Sequence, residues 1–464
     1  MGREEIRRNL PTLFEPKTVA VIGASDNPDK LGYHVMKSLT RGGYKGCVVP
    51  VNPGAEAIMD LPCVKSLADC GDPIDLAVIV VPAQVVPRIF RDCASKGVKG
   101  IVLITAGFKE IEDPRGAALQ SDLAAFALEA GIPVIGPNTF GMINRKIDLN
   151  ASFTPEFSLV EEGGVTLVSQ SGGISHLLSF VAMREHVGIS KIIGLGNRLN
   201  LDFAEVMPFL LDDPQTEVIV LYLEGLDDPR QLMSAVAAHR GKKPILALKA
   251  GRARSGDRAS LSHTGSMAGR HEIYEGALAQ SGILCVDDTQ ELMDLARAFS
   301  SCPLPEGPRT AVLTGQAGPG MVACDVCERH GLQMAAFQAP TQETINRWLP
   351  PLALRTNPVD MGPAWYDADA IQGIIGAVME DDHVDGVLLL MMFASANREA
   401  VPRISDPLIQ WQQKKPLVTC LVSPPGIWDE KVIALERQGA LVNLPTPERA
   451  AKVMARLWQY RRMI

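Results

Sequence analysis

His263 sits in the segment Lys249-Ala-Gly-Arg-Ala-Arg-Ser-Gly-Asp-Arg-Ala-Ser-Leu-Ser-His-Thr-Gly-Ser-Met-Ala-Gly269, a long basic connection that follows a strand. Loops of that length in compact domains are commonly functional or disordered. Ser262, Thr264, Gly265 and Ser266 give the imidazole no apolar cover, so it can reach into a site as a base or nucleophile near neutral pH. On the loop alone, a solvated surface histidine is the plainer reading. Such an imidazole needs a carboxylate to fix its tautomer, and Glu224 stands at the end of the strand Val218 to Leu223, where parallel sheets gather their ligands. Spacing by itself fits a helix-capping or exposed acid equally well. Three small-residue turns, Gly23-Ala-Ser25, Ser169-Gln-Ser-Gly-Gly173 and Thr314-Gly-Gln-Ala-Gly-Pro-Gly320, each follow a strand and open a helix. Backbone amides at such positive helix ends suit phosphate or carboxylate. A doubly wound domain needs a tight first turn in any case, and none of the three completes a dinucleotide fingerprint or a Walker A loop. No autonomous ATP site of that type is expected.

The elements that must hold these residues are legible as near-continuous β-branched runs. Thr18–Gly23, Cys47–Val51, Leu76–Val81, Gly100–Ile104 and Pro133–Gly136 alternate with amphipathic helical patterns, the signature of a parallel sheet covered on both faces. Polar and Pro/Gly content over 144–164 interrupts the pattern, and Val165–Val168, Lys191–Leu195, Glu217–Leu223, Pro244–Leu248 and Ile283–Val286 resume it. Ser301–Pro308 reads as a linker, and Thr310–Thr314, Gly386–Met391, Leu417–Val422 and Ala440–Asn443 form a third set. The expected fold is α/β, three consecutive doubly wound domains over residues 1–150, 151–303 and 304–464. The length of 464 residues agrees with three.

Composition narrows the function classes. With 45 basic against 53 acidic residues, the net charge of -8 lacks the footprint of a general nucleic-acid binder. No apolar run approaches about 18 residues, and the charged start Met1-Gly-Arg-Glu-Glu-Ile-Arg-Arg has no signal core, so no membrane association is expected. Nine scattered cysteines fit reduced thiols in a cytoplasm. Cys324 and Cys327 have CxxC spacing with His330 following, but without a second ligand pair they read as small core residues, and no metal site is expected.

In chain order, Val19-Ala-Val-Ile-Gly-Ala-Ser25, Ile79-Val-Val-Pro-Ala83, Ile135-Gly-Pro-Asn-Thr-Phe-Gly-Met-Ile143, Leu167-Val-Ser-Gln-Ser-Gly-Gly173, Gly194-Leu-Gly-Asn197, Asp213-Pro-Gln-Thr216 and Ser262-His-Thr-Gly-Ser266 cover nearly the whole chain. With Asn357-Pro-Val-Asp360 in the third domain, this order resembles the α subunits of NDP-forming acyl-CoA synthetases, the ADP-forming acetate–CoA ligase relatives of succinyl-CoA synthetase. The resemblance implies a Rossmann-like CoA-binding domain followed by two flavodoxin-like ligase domains. CoA would be bound by Gly23, Ala24 and Ser25, by the Val51-Asn52-Pro53 turn, and by Val80, Pro82 and Thr105, with Asn138 near the thioester. His263 would carry phosphate, Glu224 would bond its imidazole, and Ser171, Gly172 and Gly173 would dock the phosphate at a helix end.

The ATP-grasp domains of single-chain relatives have no counterpart in this sequence, so the resemblance also implies an ATP-grasp β subunit in a cytoplasmic hetero-oligomer. That partner would supply most of the ATP/ADP and Mg site. A small carboxylic acid would be activated through phosphohistidine and acyl phosphate, a relay suited to imidazole because phosphoryl transfer depends on positioning and charge stabilisation. Two alternatives stand beside this reading. A non-catalytic sensor of acyl-CoA or nucleotide would not need both His263 and Glu224, and an NAD-dependent dehydrogenase would need a fuller glycine fingerprint after Gly23.

Overall fold

The computed structural model describes residues 2–252, 271–411 and 414–464. The chain forms two compact units, 1–289 and 290–464.

The first unit holds two sheets. One contains β1 (Thr18–Ile22), β2 (Cys47–Val51), β5 (Leu76–Ile79), β6 (Gly100–Leu103) and β7 (Val134–Ile135), all parallel, in the order β2-β1-β5-β6-β7. A two-residue hairpin, β3 (Ala57–Ile58) with β4 (Leu61–Pro62), stands outside it. The chain leaves β1 to one side and returns to β5 on the other, which opens a crevice at the carboxyl ends of β1 and β5. Both faces of this sheet are packed. Val19, Val21, Val78 and Val102 belong to one buried cluster and Ala20, Ile79, Ile101 and Leu103 to another, which is why the strands read as apolar runs.

The parallel strands of the second sheet are β10 (Glu162–Ser169), β11 (Ile189–Gly194), β12 (Val218–Leu223), β13 (Ile245–Lys249) and β14 (Ile283–Cys285). Two antiparallel strands, β8 (Gly141–Asn144) and β9 (Leu149–Ser152), extend it beyond β11, and the full order is β14-β13-β12-β10-β11-β8-β9. The polar stretch after residue 144 is therefore partly strand. Its buried polar groups are satisfied internally, with Asn144 donating to the Phe14 carbonyl (3.0 Å) and Asn150 to the Thr154 carbonyl (3.0 Å), so no apolar signal was required. Here the switch point lies at the carboxyl ends of β10 and β12.

In the second unit β15 (Arg309–Thr314), β16 (Gln333–Met334), β18 (Gly386–Met392), β19 (Leu417–Val422) and β20 (Val442–Asn443) form a parallel sheet in the order β16-β15-β18-β19-β20. The short β17 (Val359–Asp360) also pairs with β15. Leu313, Leu389, Ile371 and Trp428 belong to the unit's buried apolar cluster.

Candidate functional site

Gly23 ends β1 with φ +95°, a conformation that side-chain-bearing residues rarely adopt. A Cβ there would lie 2.6 Å from the Val80 carbonyl oxygen, so the turn needs glycine for space as well as for dihedral. The Gly23 amide donates to the Val51 carbonyl (3.0 Å), and Asn52 Nδ2 donates to the Ala24 carbonyl (2.8 Å), fastening the β2 end to the turn. Val80 donates to Ile22 (2.9 Å), and Pro82 opens the short 3-10 turn Ala83–Val85. Thr105 Oγ1 donates to the Val81 carbonyl (2.8 Å) and the Thr105 carbonyl accepts the Asn138 amide (2.9 Å). Gly23, Ala24, Ser25, Val51, Asn52, Pro53, Val80, Pro82, Thr105 and Asn138 thus gather along the carboxyl edge of the first sheet. Among the described residues the amides of Ala24 and Ser25 have no acceptor, and a free pair of amides at a tight turn fits the diphosphate of a CoA-type ligand.

The second turn follows β10. Ser171 caps the helix Gly172–Arg184, its Oγ accepting from the Ile174 amide (3.4 Å). The amides of Gly172 and Gly173 belong to the first turn, where a helix supplies no acceptor of its own. A Cβ on Gly172 would meet nothing within 4 Å, so the helix end faces open space. That space is a cavity of about 400 Å³ whose lining includes Asn138, Gln170, Ser171, Gly172, Gly173 and Lys109. It brings the thioester-side asparagine and the phosphate-docking turn of the sequence reading into one pocket. A larger groove of about 940 Å³ lies elsewhere, lined by Arg3, Arg7, Arg230 and His239, and contains none of these groups.

Glu224 follows β12 and is buried, 7% exposed. Its backbone is held by Gln170, which lines the pocket. The Gln170 side-chain oxygen accepts the Glu224 amide and the Gly225 amide (3.2 Å), and its nitrogen donates to the Gly225 carbonyl (2.6 Å). Lys249, 2% exposed, donates to the Glu224 carbonyl (2.9 Å) and lies over the Tyr274 ring. Burial, and then the charge of Glu224, pushes the Tyr222 phenol up to about 12, so Tyr222 stays protonated and is no base at neutral pH. His263, with residues 253–270, lies outside the described residues.

Several groups at the site were given no role in the sequence reading. His176 lies one turn inside the helix, its Nδ1 against the Gly172 carbonyl (2.7 Å) and its Nε2 against Thr154 Oγ1 (2.8 Å), with Phe157 4.7 Å away. Its position three residues after the glycine pair was the available signal. Asn197 Oδ1 accepts from Asn138 Nδ2 (3.3 Å), and Asn197 Nδ2 donates to Glu110. Burial opposes the Glu110 charge, but the Gly107 amide and the Asn197 side chain hold its carboxyl below the ordinary value. Cys327 is fully buried, and burial pushes its thiol up to about 12, while no group of three or more metal-ligating side chains occurs among the described residues. No helix among them is long and apolar enough to cross a membrane.

Comparison with known proteins agrees with this layout. Residues 17–145 match a CoA binding domain and residues 162–299 a succinyl-CoA ligase like flavodoxin domain. The chain is 41% identical to the acetate–CoA ligase [ADP-forming] II subunit alpha of Pyrococcus furiosus over 76% of each chain. It is 34% identical to the corresponding I subunit alpha of the same organism over 97% of this chain and 98% of that one. Among solved structures, the dinucleotide forming acetyl-coenzyme A synthetase 1 of Ca. Korarchaeum cryptofilum, in complex with phosphate and ADP, superposes with a TM-score of 0.91 at 35% identity, covering 98% of this chain and 97% of that one. With both matched domains in chain order and identity sustained from end to end, the chain belongs to the family of ADP-forming acetate–CoA ligase α subunits.

Proposed function

We propose that this chain works with an ATP-grasp subunit to convert a small carboxylic acid, ATP and CoA into acyl-CoA, ADP and phosphate, with His263 as the phosphoryl carrier. The observation that carries the reading is the shared cavity. Asn138, from the CoA-binding edge, and Ser171 to Gly173, at a helix end suited to phosphate, line the same 400 Å³ space. Thiol chemistry and phosphoryl chemistry therefore have a common place to meet.

In this scheme a carboxylate oxygen attacks the phosphorus on His263, the N–P bond breaks, and an acyl phosphate forms. The CoA thiol then attacks the acyl carbon, the C–S bond forms, and inorganic phosphate leaves with the former C–O electrons. Glu224 orients the imidazole, and the Gly172 and Gly173 amides stabilise phosphoryl charge as it moves. CoA sits along Gly23 to Ser25, Val51 to Pro53, Val80, Pro82 and Thr105, with free amides meeting its diphosphate. Mg²⁺ and the nucleotide are held mainly by the partner. The names of the two Pyrococcus relatives as alpha subunits support a second subunit here.

The test is labelled ATP with the α/β pair. Wild type is expected to yield an acid-labile, base-stable phosphoprotein and His263→Ala none, while Glu224→Gln lowers turnover by about 10- to 150-fold, the worth of one charged hydrogen bond. Full labelling of His263→Ala refutes the carrier assignment. Robust acyl-CoA synthesis by the chain without a partner refutes the division of labour.

A further inference from the structure

Among the described residues, three cationic or ionisable side chains line the 400 Å³ cavity, and two of them are engaged. Arg198 pairs with Asp202 (2.7 Å) and Asp227 (3.3 Å), and both nitrogens of His176 face Gly172 and Thr154. Lys109 differs. It is half-buried, yet its ammonium makes no hydrogen bond or ion pair with any described residue. A lysine partly withdrawn from water with no contacting acceptor among the described residues is a costly placement that a ligand would relieve.

The backbone around Lys109 is held firmly while the side chain is left unengaged. Its amide donates to Gln120 Oε1 (3.4 Å), and the next residue, Glu110, accepts the Gly107 and Phe108 amides and the Asn197 side chain. Gln120 Nε2 donates to the Asn197 carbonyl (3.3 Å), its Oε1 accepts from Asn197 Nδ2 (3.1 Å), and Asn197 reaches Asn138. One polar network therefore connects the Lys109 backbone to Asn138 in the pocket wall. Burial, and then repulsion from Arg198, pulls the Lys109 ammonium below its ordinary value against the weaker pull of the Asp227, Asp202 and Glu110 charges, none of which touches it. An anion entering the pocket relieves both effects, because it supplies a counter-charge in direct contact with the ammonium at a place partly withdrawn from water.

We propose that Lys109 is the cation that holds the phosphoryl group, first as it is accepted by the carboxylate and then in the acyl phosphate, opposite the helix end at Ser171 to Gly173. The inference rests on the reaction assigned above and adds a binding residue to it. The phosphates of CoA are the other anions available. Gly23 to Ser25, Val51 to Pro53, Val80 and Pro82 are absent from the lining of the cavity, which favours the transferred phosphoryl group over the CoA diphosphate.

Inorganic phosphate is the probe, titrated into the full chain and followed by ³¹P line broadening, with CoA titrated separately by calorimetry. Lys109→Gln is expected to weaken phosphate binding by about tenfold or more, the usual worth of a charged hydrogen bond, while CoA affinity stays within about twofold. Lys109→Arg, which keeps the charge, is expected to restore most of the phosphate affinity. Equal phosphate binding by wild type and Lys109→Gln, no phosphate binding by wild type, or a loss confined to CoA overturns the proposal. Failure of wild-type His263 to label with ATP in the α/β pair would strike the carrier reaction instead, so the two ideas fail by different measurements.

Discussion

Gln170→Leu removes the side-chain link from the end of β10 to the residues just past β12 while nearly conserving volume. Three hydrogen bonds disappear: two amides, of Glu224 and Gly225, lose their acceptor and the Gly225 carbonyl loses its donor. Gln170 is 4% exposed, so its partners lose bonds in a largely dry setting. At about 1 kcal/mol net for each bond, the loss is about 3 kcal/mol, or on the order of 150-fold in the folded-to-unfolded ratio. For a unit of this size that corresponds to a fall of about 5 °C in its midpoint. Scanning calorimetry of the full chain resolves the effect, because the transition raised by added CoA is the one that reports residues 1–289. Phosphorylation in the α/β pair should fall as well, since Glu224 loses its fixed backbone. A midpoint within about 2 °C of wild type together with normal labelling would refute the argument that Gln170 organises the acid.

Gly23→Ala is expected to weaken CoA binding by about tenfold or more in calorimetry, because the φ of +95° and the 2.6 Å approach to the Val80 carbonyl force the turn to shift; His263 labelling by ATP should persist. Lys191→Met leaves the buried Asp213 without the ammonium 2.7 Å away and should cost about 3 to 5 kcal/mol of stability at pH 7, measured by denaturant titration. Burial opposes the Asp213 charge, but Lys191, Thr216 and the Gln215 amide hold its carboxyl below the ordinary value. This contribution is present above about pH 4 and is lost as pH falls through the depressed folded value, so the penalty of Lys191→Met should shrink in acid.

Most of the parallel strands were legible because they are buried on both faces, as in β12, where all six residues from Val218 to Leu223 are buried. The antiparallel pair β8 and β9 was hidden for the opposite reason, since Asn144, Asn150 and Ser152 are equally buried but satisfied by hydrogen bonds that no hydropathy pattern records. Lys109 was invisible because its interest lies in what it fails to touch, a property of the folded surroundings.

The three small-residue turns looked alike in sequence, and two of them share detailed geometry. Ser169 Oγ bonds the amide and the carbonyl of Ser171, and Thr314 Oγ1 bonds the amide and the carbonyl of Gln316 in the same way. Each turn also carries a glutamine that reaches a carbonyl at the end of the neighbouring strand, Gln170 to Gly225 and Gln316 to Met392. They differ in the residue just past that strand. β12 runs into Glu224, whose amide satisfies the Gln170 oxygen, whereas β18 runs into Phe393, and the buried Gln316 oxygen has no partner among the described residues. The strand–turn–helix unit is thus a scaffold used twice, and it becomes a candidate for phosphoryl chemistry only where the opposing strand delivers a carboxylate. A glycine-rich turn read alone carries half of that information, and the first residue beyond the adjacent strand carries the other half.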